Sequence, residues 1–144
     1  MSLVQHLVAL LGRIALGSVF VWGAANLMIL SWAEALEELQ GRQVIFPNAL
    51  LLLAMLAMLL GGLSLILGLR ARWGALLLIL VLVPTTAILH DFWVHDPTAP
   101  QYTELAVALM KNVGLLGGLL MVMAFGPGGF SADTFLRKRP PETR

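Results

Sequence analysis

Cysteine is absent from this chain of 144 residues. That excludes a disulfide scaffold, a cysteine-ligated zinc or iron–sulfur site, and thiol–disulfide catalysis. Charge is scarce: Asp, Glu, Lys and Arg make up 12%, about half the roughly 25% of an ordinary soluble domain. The net charge of +1 gives no reason to expect a nucleic-acid partner. Catalytic signatures are missing too. There is no G-x-S-x-G, no P-loop, no G-x-G-x-x-G and no carboxylate pair inside an apolar run. No metal site is expected, because His90 and His95 are five apart and a helix does not put i and i+5 on one face. What fills the chain is apolar, at 59%. A soluble domain this small cannot hide so much apolar surface without an aggregating patch. An integral membrane protein remains.

A membrane-spanning helix needs about 20 mainly apolar residues. Four runs qualify, and they predict helices over about 4–30, 49–69, 74–93 and 104–125. The runs are continuously apolar, so they read as helices and not as barrel strands. The expected fold is all-α: a four-helix transmembrane bundle in one domain over 1–133, then a basic tail over 134–144. The first run lacks a basic n-region and is longer than a signal-peptide core, so cleavage is not expected. Pro47 ends an extended stretch, with Asn48 as the expected N-cap of the second helix. Gly68 and Gly74 bracket Arg70-Ala71-Arg72 in a tight hairpin. Pro84 predicts a kink, with Thr85 and Thr86 placed to satisfy freed backbone. Gly126-Pro127-Gly128-Gly129 stops the last helix.

Charge sets the expected topology. The loop after the second helix carries Arg70 and Arg72, and the C-terminal tail carries Arg137, Lys138, Arg139 and Arg144. The other two loops are acidic, with Glu34, Glu37 and Glu38 in one and Asp96 and Glu104 in the other. The positive-inside rule then predicts both termini in the cytoplasm. A multi-pass protein of a bacterial-type inner membrane is expected. Arg13 fits the scheme as a residue snorkelling to headgroups. In the first outer loop Trp32, Ala35, Leu36 and Leu39 recur at i, i+3, i+4 and i+7, opposite the acids. That spacing predicts a short amphipathic helix, lying on the surface or capping the bundle.

Lipid is as apolar as leucine, so the bundle must be held by close packing of small residues or by polar contacts. Ala57, Gly61, Ser64 and Gly68 form a small-residue face on the second helix, and Gly114 and Gly118 form a GxxxG on the fourth. They are the expected helix-packing positions, within one subunit or between copies in a homo-oligomer.

Ionisable residues inside a membrane helix are functional candidates. Lys111 is the clearest: its stem can reach outward, or it can pair inside the bundle. Asp91, His90, Asn26 and the adjacent Asn112 fall at similar depth. The five form a candidate polar cluster from three helices. It reads either as a lock between helices or as a site for the polar head of a lipid-soluble ligand such as a quinone. No cofactor is otherwise evident.

Several short stretches resemble the DoxX family. Met110-Lys111-Asn112, Leu115-Leu116-Gly117-Gly118 and Gly126-Pro127-Gly128 through Ser131 and Asp133 resemble its closing helix. Leu60-Gly61-Gly62, Leu67-Gly68-Leu69 and Arg72 resemble its second helix, and His90-Asp91-Phe92-Trp93 the end of its third. Arg13, Leu16-Gly17, Phe20 and Gly23 resemble its first. A lysine near Asn26 and an acid near Met58, frequent in the family, are absent here. The resemblance implies a four-helix inner-membrane protein, related to small subunits of quinone-linked systems such as thiosulfate:quinone oxidoreductase and terminal oxidases, and to a maturation protein for methylamine dehydrogenase. The expected function is an accessory subunit or anchor of a quinone-linked respiratory or sulfur-redox assembly, with redox subunits and the bilayer as partners and no catalysis of its own. The alternatives are a membrane factor for partner maturation or oxidative-stress resistance, and a small lipid or solute carrier.

Overall fold

A bilayer selects helices by length, and the computed structural model has four long enough. It describes residues 2–89, 98 and 100–137. Helix α1 runs Leu3–Ile29, α3 Pro47–Leu67, α4 Ala71–Leu89 and α5 Pro100–Phe125. With a rise of about 1.5 Å per residue, their 27, 21, 19 and 26 residues match or exceed a hydrocarbon core of about 30 Å. All four are apolar enough to cross a membrane. Among the described residues there are also two short helices: α2, Trp32–Gly41, and α6, Ala132–Arg137. No strand occurs among the described residues.

Helix α3 is the centre of the bundle. It packs on α1 on one side and α4 on the other, α5 joins through α4, and α1 and α5 barely touch. Two adjacent glycines explain how α3 holds both neighbours. A Cβ on Gly62 would lie 2.8 Å from the Gly17 carbonyl oxygen of α1, and a Cβ on Gly17 would lie 2.7 Å from that of Gly62. Only bare backbone lets these helices approach so closely. Gly61, rotated by about 100°, turns instead to Gly74 and Leu78 of α4. The buried core lies along these seams, from Phe20 and Leu65 to Ala75, Leu78 and Leu119. Most other large apolar side chains face outward, as lipid requires.

The structure changes several local expectations. Helix α3 starts at Pro47 itself, with Phe46 as N-cap in the left-handed region, so Asn48 lies inside the first turn and caps nothing. Proline suits that first position because its missing N–H would be unpaired there anyway. Helix α4 continues through Pro84. Thr85 and Thr86 donate to the carbonyls of Val81 and Leu82. These lie just beyond the Leu80 carbonyl, which Pro84 cannot serve. Residues 132–137 form α6, overlapping the stretch read from sequence as tail.

The termini end carries a second departure. Arg13 does not snorkel: it is 2% exposed. Its guanidinium donates to the Leu65 carbonyl at 3.5 Å and to the Phe130 carbonyl. Gly68 closes α3 at φ 66°, a conformation that favours glycine, and its bare Cα leaves room for that guanidinium. Asp133 completes the junction: its N–H donates to the Gly68 carbonyl at 3.3 Å, and its carboxylate accepts from the Arg70 N–H at 2.8 Å. His6 Nδ1 accepts from the Gly129 N–H at 3.0 Å, so the first turns of α1 hold the segment after α5.

Candidate functional site

Helix α2 is short, and its function follows from what it spans. Its Leu39 is buried, and the helix packs on α3 and α1. Glu34, Glu38 and Arg42 recur at four-residue spacing and so share a face. Arg42 pairs with Glu38 at 3.1 Å and donates to the Ile88 carbonyl near the end of α4. The α2 segment is thus fastened across the ends of both α3 and α4.

Below this roof, a cavity of about 800 Å³ runs along α3 and α4. Leu50, Leu53 and Ala54 line it from α3, and Leu77, Leu80, Val81, Pro84 and Thr85 from α4. The rim is polar: Ser31, Glu34, Glu38 and Arg42 from the α2 segment, and Gln101 and Glu104 from the start of α5. Small-molecule sites usually run about 300–1,000 Å³, mostly apolar with a few polar groups to fix orientation. This groove has that form. Among the described residues, no three His, Asp or Glu side chains gather to hold a metal ion.

Of the polar cluster expected from sequence, the three described members lie in different surroundings. Asn26 accepts from the Ser31 hydroxyl at 3.1 Å and from the Leu30 and Ser31 N–H groups through its carbonyl, so it shapes the turn between α1 and α2. Asn112 donates to the Thr86 hydroxyl at 3.0 Å and sets the α4–α5 register. Lys111 is exposed on α5. His90 and Asp91 lie outside the described residues. None of Asn26, Lys111 and Asn112 lines the groove. The small-residue positions also divide. Gly61 and Ser64 lie against α4, Ala57 is buried and lines the groove, and Gly68 serves the Arg13 junction. A Cβ on Gly118 would touch Leu16 at 3.4 Å, whereas Gly114 has open space.

Sequence reasoning missed the groove because it weighed the apolar stripe of α2 and used the acids only to assign the loop to one side of the membrane. The signal was the four-residue spacing of Glu34, Glu38 and Arg42, which puts an ion pair on one face. The Asn112–Thr86 bond carries its own expectation. Replacing Asn112 with leucine should cost only about 0.6 kcal/mol, the mean for hydrogen bonds between membrane helices. Reversible unfolding in mixed micelles checks this.

Comparison with known proteins agrees with the architecture. The DoxX family matches residues 8–96, which takes in α1 to α4 and leaves α5 outside. A Surfeit locus protein 4 homolog of Drosophila melanogaster is 29% identical over 73 residues, covering 51% of this chain and 27% of that protein. One of Schizosaccharomyces pombe is 29% identical over 68 residues, covering 47% of this chain and 22% of that protein. The match spans about a quarter of each relative's length. No solved structure matches significantly. With four apolar helices in the bundle and well over half its length matched by the family, this multi-pass membrane protein belongs to the DoxX family.

Proposed function

We propose that the chain is a non-catalytic membrane subunit that holds a lipid-soluble amphiphile, a quinone first among them, in the α2-roofed groove. The observation that carries this reading is the groove itself: apolar walls from α3 and α4 under a rim of Glu34, Glu38, Arg42 and Glu104. A quinone has the same division, an isoprenoid tail and a polar ring. The ring would meet hydrogen-bonding side chains at the rim while the tail lies along Leu53 and Leu80. On this reading the chain serves a quinone-linked redox assembly of a bacterial inner membrane by presenting its ligand to partner subunits. The basic residues at the termini end support a cytoplasmic position for both termini, so that the groove opens in the outer leaflet.

The test uses the full chain in nanodiscs, with bound lipids extracted and identified by mass spectrometry. Wild type is expected to retain quinone in near-stoichiometric amount. Ala54→Trp, which places an indole in the groove, should retain about tenfold less, equivalent to about 1.4 kcal/mol of affinity. Leu80→Trp tests the opposite wall, and circular dichroism checks that both variants keep their helices. Equal retention in wild type and in both folded variants would contradict the reading.

A further inference from the structure

The groove lies at one end of the bundle, and positive charge gathers at the other. The α3–α4 connection and the chain after α5 hold six basic residues, Arg70, Arg72, Arg137, Lys138, Arg139 and Arg144, against two acids, Asp133 and Glu142. Arg70 and Arg72 are exposed, and among the described residues no carboxylate pairs with either guanidinium. Arg72 leans over the turn that ends α5: its Nε and Nη2 would stand 3.3 Å from a Cβ on Gly126. Its hydrogen bond there, to the Ala124 carbonyl, is a long 3.5 Å. That single contact occupies few of the five N–H donors of a guanidinium.

The backbone at Arg70 is unusual as well. Its φ is 48°, in the left-handed region that glycine and asparagine take more easily. Asp133 helps to hold it there, by accepting the Arg70 N–H at 2.8 Å. Such outliers persist where the surroundings fix them, and they gather at functional positions.

Depth says what these arginines meet. The 19 residues of α4 span about 28 Å, close to a hydrocarbon core of about 30 Å. The first turn of α4 therefore stands at headgroup level. Trp73 is 71% exposed at that level, where tryptophan rings collect in membrane proteins. Phe135 and Leu136 of α6 are exposed at the same end. An acidic protein segment would answer the charge and leave these apolar side chains in water, whereas a lipid surface answers both. We propose that Arg70 and Arg72 bind the phosphate of an anionic lipid at the termini end, with Trp73, Phe135 and Leu136 against its acyl chains. The planar fork of arginine suits phosphate oxygens, and the basic residues of the tail add attraction to an anionic leaflet. This surface lies at the opposite end from the groove, so either reading can fail alone.

The test reconstitutes the full chain in vesicles of equal phosphatidylglycerol and phosphatidylcholine. The protein is then extracted in mild detergent, and its bound lipids are counted by native mass spectrometry. Phosphatidylglycerol should be retained about tenfold over phosphatidylcholine. Arg70→Gln with Arg72→Gln should bring that ratio within about twofold of unity, while the paired Arg→Lys changes should keep most of the enrichment. Circular dichroism checks that both variants keep their helices. Excess inorganic phosphate should not displace the lipid, because its acyl chains are held too. Four outcomes would overturn the proposal: equal retention of the two lipids by wild type, enrichment that survives the paired Arg→Gln changes, displacement by inorganic phosphate, or binding of a polyglutamate peptide with no lipid enrichment.

Discussion

Replacing Gly62 with leucine is expected to be the most damaging single change in the bundle, costing about 3 kcal/mol or more. The reason is geometric. A Cβ at that position would lie 2.8 Å from the Gly17 carbonyl oxygen and 2.8 Å from a Val21 methyl. A methyl can move aside, but a helical carbonyl is fixed by its own hydrogen bond. Helices α1 and α3 must therefore separate along the whole seam, and dispersion contacts around Phe20 and Leu65 are lost with them. Gly17→Leu should behave alike, since its Cβ would meet the Gly62 carbonyl at 2.7 Å. Gly114→Leu is the control: nothing lies within 4 Å of a Cβ there, and its stability should stay within about 0.5 kcal/mol of wild type. Reversible unfolding in mixed micelles measures all three. Equal tolerance of leucine at Gly62 and Gly114 would contradict the α1–α3 crossing.

Arg13→Met is the second large expected effect, at about 2–3 kcal/mol. Methionine keeps the apolar stem and removes the guanidinium, so the Phe130 and Leu65 carbonyls lose a charged donor. The Leu65 carbonyl keeps the Gly68 N–H, so the cost falls on the Phe130 carbonyl, and leaving an acceptor there without its donor costs more than the net gain from making the bond. Asp133, whose charge acts on Arg13, then keeps only its backbone contacts to Gly68 and Arg70. The segment from Gly128 to Asp133 should loosen from the bundle. Arg13→Lys should recover only part of the loss, because an ammonium lacks the planar fork that serves two separated carbonyls. Limited proteolysis after the last helix reads the effect directly: faster cleavage in Arg13→Met, intermediate in Arg13→Lys. Unchanged protection in Arg13→Met would show that the arginine does not hold the segment.

These two predictions also mark what the sequence reveals and what it hides. Apolar runs disclose the spans, because burying backbone in hydrocarbon requires about 20 consecutive apolar residues whatever their neighbours. The amphipathic α2 is equally legible, from the spacing of Trp32, Ala35, Leu36 and Leu39. Pairing between helices is not. Gly61 and Gly62 are adjacent in sequence yet face different helices, and periodicity on one helix does not say which neighbour each face meets. Arg13 shows the same limit. Positive-inside counting treats it as an interfacial charge, while its burial depends on Gly68 and Phe130, distant in sequence. The polar cluster was inferred from equal depth, which fixes height and leaves azimuth free. Asn26, Lys111 and Asn112 share a level and point to three different surroundings. The groove escaped because it belongs to no single element: α2 roofs it, α3 and α4 wall it, and α5 contributes its rim.

Ligand occupancy of that groove is the central claim, and photolabelling tests it most directly. The full chain in nanodiscs is irradiated with a quinone analogue carrying a diazirine on its tail, then digested and mapped by mass spectrometry. Adducts are expected at Leu50, Leu53, Ala54, Leu80 and Val81, and an excess of unlabelled quinone should suppress them. Adducts spread equally over lipid-facing positions outside the groove, such as Leu11, Val107 and Met121, with no suppression by unlabelled quinone, would show that the analogue partitions into lipid and that the groove holds no quinone.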